Sequence, residues 1–592
     1  MQFPANLPLQ VLCGLVLLLT NGLAEADKIG PHLSRALSSG TSDQFLVWIF
    51  LDGKAQRDIQ KLSLPQSLIS ERSLARRLKS RSSSPVDVSD VPVDEDLVST
   101  LRSTNTIIRH RSKWFNAVSA TVQRNDLASI LTLPFVRSIE LVGRYEKPSD
   151  NSIHRSANEG VSPSLPSALM ALDYGPSFGQ VDLINVPPVH ESGNSGQGVL
   201  IGVFDNGFRL LSHEVFDSID IVATYDFVEN KESVVPSDTR TSFGTHGIRT
   251  LSVIGGYKPG QLIGVAYGAS FLLARTENDS SETPREEDNW VAAIEWADSI
   301  GVDVASTSLI YREFDSPFVD WTWEDMNGNT TVITRAADMA VAKGIVVVNA
   351  AGNFGGPPVT GQNTLGAPGD GDSVLTVGAV DQSGVRASFS SVGPTTSVPP
   401  RTKPDVMAPG VGIHSASSID PAGYFDNNNG TSFACPLAAG VAALLLSANP
   451  SATPGQIADA LRYTANNFDS PNNLTGWGVL DAQAALQSLD GTGPIPTSFA
   501  LKQNYPNPFN GLTSIEFDLT TGAEVSLEIF SILGRKVRQL VKGSFPPGSH
   551  IKRWTGEGDD GSSASSGVYI YRLSSSLAGG SYTAHGKMIL VR

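Results

Sequence analysis

Short apolar runs separated by segments of helical period dominate the middle of the chain. "VLIGVFD", "ASFLLAR", "VDVASTSL", "IVVVNAAG" and "SVLTVGAV" are rich in Val and Ile, mostly non-alternating, and bounded by Gly, Asp or Asn. That is the pattern of strands buried on both faces of a parallel sheet. Between two of them, "EEDNWVAAIEWADSIG" places Trp290, Ile294 and Ala297 on one face of an amphipathic helix. Residues 178–490 therefore predict a doubly wound, mostly parallel α/β domain, with its site at the carboxyl ends of the strands.

The flanks are patterned differently. After the Gly/Pro linker "DGTGPIPTS", the runs "SIEFDL", "EVSLEIF", "HIKRWTG" and "GVYIYRL" alternate with period two between Gly-rich turns. Residues 498–592 thus predict an all-β sandwich. Upstream, "QFLVWIFLDG" and "FNAVSATV" read as strands, and "NDLASILTLPFV" as a capped helix starting at Asp126. Residues 27–150 form a small α+β unit on this reading, and the Ser-, Pro- and Asn-rich residues 151–177 an exposed linker. Residues 1–26 contain a short apolar core ending in Ala24-Glu25-Ala26, which reads as a secretory signal cut after Ala26. Its first residues lack Lys and Arg, and the apolar core is too short for a comfortable membrane span, so the mature chain is expected to have none.

Charge separates the parts further. Residues 27–150 hold 18 Lys and Arg against 14 Asp and Glu, while the whole chain has a net charge of −16. A basic N-terminal unit facing an acidic remainder implies mutual attraction. The acidic balance argues against nucleic acid as a partner. Of the two cysteines, Cys13 lies in the signal, which leaves Cys435 as the only mature thiol and excludes an internal disulfide.

The segment "GTSFACPLAAGVAALLL" opens with a polar tripeptide on an otherwise apolar helix of small residues. Its hydroxyls either cap the helix or do chemistry. Three further features bear on the choice. "VLIGVFD" ends in Asp205-Asn206-Gly207, "FGTHGIRTLSVIGG" puts His246 at the start of an apolar helix, and "VVVNAAGNFGGP" places Asn353 just past a strand end. Ser, His and Asp in these contexts supply nucleophile, general base and base-orienting carboxylate. An Asn in a Gly-rich turn can aim its amide at an oxyanion. Pro436 has no N–H to return to the Ser432 carbonyl, which therefore escapes its helical bond. His213, in "LLSHEVF", is the rival histidine and reads as structural.

At these stretches, and in "GVAYGAS", "ASFSSVGP", "KPDVMAPG" and "GWGVLDAQAAL", residues 195–486 resemble the subtilisin-like serine peptidases, the subtilases. The order Asp, His, Ser is that family's and not the α/β-hydrolase order. The resemblance implies a secreted endopeptidase with Asp205, His246 and Ser432 as triad and Asn353 as oxyanion donor. Asn206 stands where the family usually has Ser or Thr, and Ile248 where it usually has Thr. By the same resemblance Ser308, Leu309, Ala351, Gly352 and Gly366 bound the primary substrate pocket. Gly366 has no side chain to fill the floor, so a large apolar or aromatic residue is expected before the scissile bond. Residues 27–150 resemble the family's inhibitory prodomain, which implies a zymogen inhibited by its own N-terminal unit. The C-terminal "LKQNYPNPFN", "VSLEIFSILGRKVRQLV", "SGVYIYRL" and "KMILVR" resemble the sorting domain of the type IX secretion system. That implies secretion or outer-membrane attachment in a bacterium with two membranes, and the secretion machinery as a partner beside protein and peptide substrates.

The competing class is a binding or adhesion protein on an inactive subtilase scaffold, and an assay of Ser432→Ala against wild type separates the two. A carbohydrate-binding reading of the last domain would need Trp554, Tyr569 and Tyr571 exposed as a platform. The chemistry requires no cofactor. Many subtilases carry structural Ca²⁺, but the acidic loops "ENDSSETPREEDN" and "DMNGN" lack the spacing of a complete ligand loop and read as solvated surface.

Overall fold

The computed structural model describes residues 28–39, 43–80, 84–142, 144–145, 172–240, 243–315, 318–355, 362–490, 498–545, 548–577 and 580–591. The signal, residues 151–171 of the linker and the first residues after Asp490 lie outside them. The end of the expected exposed linker is instead packed. Tyr174 and Ser177 are buried against the core of the α/β domain, because Gly175–Ser177 already forms a turn of that domain.

Seven parallel strands form the central sheet, in the spatial order Val406–Pro409, Leu375–Val380, Val346–Ala350, Val304–Thr307, Leu200–Asp205, Ser270–Arg275 and Asp220–Asp226. The first strand in sequence, Leu200–Asp205, lies inside the sheet, and the chain winds away from it in both directions. Its carboxyl end is therefore the topological switch point, where such sheets bind ligands. Asp205 ends this strand, Ser308 follows its neighbour Val304–Thr307, and Asn353 follows Val346–Ala350. One edge of one sheet thus brings together residues far apart in sequence.

Helix Thr431–Ala448 packs against this sheet and is buried along nearly its whole length. Its Ala, Gly and Leu surface lets it lie close to the strands and to helix His246–Gly255. Gly440 shows how tightly: a Cβ there would fall 2.5 Å from the Val265 side chain. On the other face of the sheet, Trp290, Ile294 and Ala297 of helix Arg285–Ile300 are fully buried, as its periodicity predicts.

The N-terminal unit is a four-stranded antiparallel sheet, in the order Ile107–Ser112, Ala117–Gln123, Gln44–Leu51 and Val136–Leu141. The two strands read from sequence are present. The helix expected from Asp126 is only Leu127–Leu131, follows a 3-10 turn, and has no side-chain bond from Asp126 at its start. Pro134, three residues after Leu131, disfavours helical backbone before it and ends the element early.

The C-terminal unit packs a three-stranded sheet (Ala500–Leu501, Thr513–Leu519, Gly548–Trp554) against a four-stranded one (Lys536–Phe545, Ala523–Ser531, Gly567–Leu577, Gly580–Leu590). Alternate residues from both fill one core, which includes Ile515, Phe517, Leu527 and Leu573. Trp554, Tyr569 and Tyr571 are buried in it, so these three do not form the exposed aromatic platform that carbohydrate binding would need.

Candidate active site

Asp205 is fully buried, and each of its oxygens is held. Its Oδ1 accepts the Asn206 backbone N–H at 2.8 Å and lies 2.7 Å from His246 Nδ1. Its Oδ2 accepts the Thr250 hydroxyl at 2.9 Å. Thr250 sits one helical turn after His246, so the helix that carries the imidazole also carries a clamp for the carboxylate. The sequence reading missed Thr250, although its spacing from His246 was there to be read. With Nδ1 turned to Asp205, Nε2 is left for the cleft. Burial pulls the His246 pKa down, but the charge and hydrogen bond of Asp205 more than offset it and leave the imidazole above its ordinary value.

Asn206 and Ile248, the two departures from the family pattern, leave this arrangement intact. The Asn206 side-chain Oδ1 accepts the Gly247 N–H at 3.2 Å, which ties the strand end to the helix start, and its Nδ2 donates to Asp279 at 2.6 Å. Ile248 points into the core. The rival His213 is buried, with Nδ1 accepting the Val215 N–H at 3.1 Å and Nε2 lying 2.7 Å from the Gly423 carbonyl, a structural engagement of both nitrogens.

Ser432 is the second residue of helix Thr431–Ala448, where unpaired N–H groups and the helix dipole favour negative charge. The carbonyl that Pro436 releases finds another donor, the Ser308 hydroxyl at 2.8 Å. Asn353 is oriented by Thr431: its Oδ1 accepts the Thr431 N–H at 2.9 Å and the Thr431 hydroxyl at 3.1 Å. Because a backbone N–H can only donate, the amide oxygen must face Thr431 and the amide nitrogen must face away from it. Thr431 also accepts the Gly352 N–H at 3.2 Å. Gly430, at φ +146°, is required here: a Cβ on it would stand 2.8 Å from Ser432 Oγ and 3.6 Å from Asn353 Nδ2. The hydroxyl and the amide nitrogen thus approach one spot that only glycine leaves free.

His246, Asn353 and Ser432 line one cleft of about 620 Å³ together with Asn206, Ser308, Leu309 and Ile310. Part of its wall comes from the loop expected to be solvated acidic surface, and that expectation is corrected. Glu277, Asp279 and Glu282 line the cleft, and Asp315 joins them. Glu277 is buried and bonded by the Tyr311 hydroxyl, and Glu286 behind it is pushed up to about 8 by burial and the charge of Glu282. "DMNGN" is likewise a built turn, in which Asp325 accepts the Thr322 N–H at 2.8 Å and Gly328 donates to Asp370 at 2.7 Å.

Of the residues expected to bound the primary pocket, Ser308 and Leu309 line the cleft. Ser308 is also engaged with the Ser432 carbonyl. Ala351, Gly352 and Gly366 are buried, and Ile310 packs over both glycines. Cys435 lies beneath the helix start, with its thiol against the Thr307 carbonyl at 3.3 Å and pushed up to about 12 by burial. It is free, buried and far too acid-weak to act as a thiolate near neutral pH.

The face of helix Arg285–Ile300 that its periodicity marks as polar is covered by the N-terminal unit. Arg76 and Arg77 each reach Asp298 at 2.5 Å, and Arg77 also pairs with Asp90 at 2.8 Å. Arg109 pairs with Asp288 at 2.7 Å, and Glu295 accepts the Lys113 N–H at 2.9 Å. Trp48, Phe50 and Trp114 join the same apolar cluster as Trp290 and Ile294. Burial pushes Glu295 up to about 7 and Asp288 up to about 6.

Comparison with known proteins agrees with this architecture. Residues 196–478 match the Subtilase family, residues 46–158 the Peptidase S8 propeptide domain of Bacteroidota, and residues 503–585 a secretion system C-terminal sorting domain. The chain is 32% identical over 388 residues to Subtilisin NAT of Bacillus subtilis subsp. natto, which covers 64% of this chain and 83% of that protein. It is 34% identical over 307 residues to Subtilisin DY of Bacillus licheniformis, covering 52% and 97%. With a Subtilisin of Bacillus pumilus it shares 36% identity over 315 residues, covering 52% and 98%.

The fold and these relatives define a serine endopeptidase with a propeptide and a sorting domain. The chain belongs to the subtilase family.

Proposed function

We propose that the chain is exported as a zymogen and hydrolyses peptide bonds with Ser432 as nucleophile, His246 as general base, Asp205 as its orienting carboxylate and Asn353 as oxyanion donor. The observation that carries this reading is the 2.7 Å bond from His246 to the buried Asp205, on the wall of the cleft that also holds Ser432 and Asn353. His246 Nε2 takes the Ser432 proton as Oγ attacks the scissile carbonyl, and Asp205 stabilises the imidazolium that forms. The carbonyl oxygen becomes an oxyanion facing Asn353 Nδ2 and the Ser432 backbone N–H at the helix terminus. His246 then gives its proton to the leaving amine. Water, activated by the same imidazole, releases the acyl group.

Residues 27–150 act as the inhibitor on this reading and are cut away within residues 151–177. The buried pairs at Asp288 and Asp298 support a tight precursor complex. Residues 498–592 are the export tag, removed after passage through the outer membrane, and the peptidase is then released or held at the cell surface.

Ser432→Ala tests the proposal. Its expected outcome is an exported, folded chain without proteolytic activity that accumulates with residues 27–150 attached. Undiminished proteolysis by that variant would overturn it.

A further inference from the structure

The primary pocket of a peptidase holds the side chain of the residue whose carbonyl is attacked. With that carbonyl at Ser432 Oγ and Asn353 Nδ2, the side chain must enter between the two segments that leave adjacent strands, Ser308–Ile310 and Ala351–Asn353. These run side by side because Val304–Thr307 and Val346–Ala350 are paired. The loop at Gly366 closes the space behind them, held by its N–H to the Ala351 carbonyl at 3.4 Å.

This space is occupied. The Ile310 Cβ lies 2.8 Å from where a Gly366 Cβ would stand, and its Cδ1 lies 3.0 Å from where a Gly352 Cβ would stand. One isoleucine therefore stretches from one glycine wall to the other. Gly366 lacks a side chain because Ile310 packs on its backbone, and not because the floor is open. The backbone on either side is fixed, since Tyr311 and Ala367 exchange hydrogen bonds of 2.9 and 3.1 Å. A β-branched side chain on a pinned backbone has little freedom to swing aside. Ile310 itself is half-buried and lines the cleft.

We propose that Ile310 closes the primary pocket, so that this enzyme cleaves after small residues such as Ala or Ser, and not after the large apolar or aromatic residues that an open floor at Gly366 implies. The inference rests on the catalytic reading above, because that reading locates the scissile carbonyl. A pocket shortened by several methylenes discriminates strongly, since a single methylene is worth about 10- to 200-fold in kcat/KM.

The test uses the chain produced as its full precursor and allowed to mature, with the active fraction counted by a fluorophosphonate that labels reactive serines. Fluorogenic peptides differ only in the residue before the scissile bond: Ala, Leu, Phe or Lys. The wild type is expected to prefer Ala over Phe by tenfold or more in kcat/KM. Ile310→Gly is expected to reverse that order by raising the Phe rate at least tenfold, and Ile310→Ala to give an intermediate shift should the glycine variant fold poorly. A labelled wild-type enzyme that cleaves the Phe or Lys peptide as well as the Ala peptide overturns the proposal, as does a labelled Ile310→Ala enzyme with an unchanged profile. Failure of the catalytic reading is distinct from both, since it leaves no label on Ser432 and no cleavage of any peptide.

Discussion

The Ser308 hydroxyl donates a 2.8 Å hydrogen bond to the Ser432 carbonyl, the acceptor that Pro436 leaves without its helical N–H. The proline frees a backbone group at the end of the central helix and a side chain from the neighbouring strand end takes it, so the helix start is fastened to the sheet. A coupled effect follows. In the Ser432→Ala background, which prevents self-digestion, Ser308→Ala is expected to cost about 1 kcal/mol of stability. Adding Pro436→Ala supplies the missing N–H and should erase most of that cost. Thermal denaturation of the four combinations measures the coupling.

The raised pKa of His246 sets the acid limb of the pH–rate profile. The base works only when neutral, so kcat/KM should fall as pH drops through a value above the ordinary 6.5. Replacing Asp205 with Asn removes the charge that lifts the imidazole but keeps the burial that lowers it. The residual activity of that variant should titrate at lower pH, read from its profile against wild type.

Removing the amide of Asn353 with Asn353→Ala is expected to lower kcat by about a hundred- to a thousandfold, the range that loss of one oxyanion donor costs in subtilisin, with little change in KM. Thr431→Val deletes the hydroxyl bond to Asn353 Oδ1 but keeps the Thr431 N–H bond. It should lose less, on the order of tenfold, because one of two orienting bonds remains. Steady-state kinetics on one peptide decides both.

Inhibition by residues 27–150 added in trans should depend on salt mainly through association. The opposite net charges of the two parts attract over a distance that salt shortens to about 8 Å at physiological ionic strength. The contact pairs themselves are buried, with Arg76, Arg77 and Asp298 between 0 and 2% exposed, and are screened far less. High salt should slow binding and leave dissociation nearly unchanged. Arg77→Ala removes the guanidinium that bridges Asp90 and Asp298, leaving Asp298 with Arg76 and Asp90 with Lys343. A buried pair is weakened on each side, and dissociation should speed by about tenfold or more. Stopped-flow and wash-out measurements separate the two rates.

Much of the fold and of the candidate site was legible in short stretches of sequence. Non-alternating Val and Ile runs marked the strands, and Asp205, His246, Asn353 and Ser432 each lie at an element boundary that local residues define. Pro436 even announced a free carbonyl. Its acceptance by Ser308 was not legible, because it depends on which strands become neighbours. The same holds for Thr431 beneath Asn353 and for the acidic face of Arg285–Ile300, whose carboxylates resemble solvated ones until a basic partner covers them. Ile310 is the clearest case. Its packing against Gly366, 56 positions away in the chain, follows from which strand ends become neighbours and is announced by no local stretch.

The triad assignment is tested most directly by mass-spectrometric mapping of an active-site fluorophosphonate on the matured protein. The expected result is a single adduct on Ser432 that disappears in His246→Ala, together with a loss of proteolysis on the order of a millionfold, as in subtilisin. An adduct on another residue, or near-normal proteolysis by the His246→Ala variant, would contradict it.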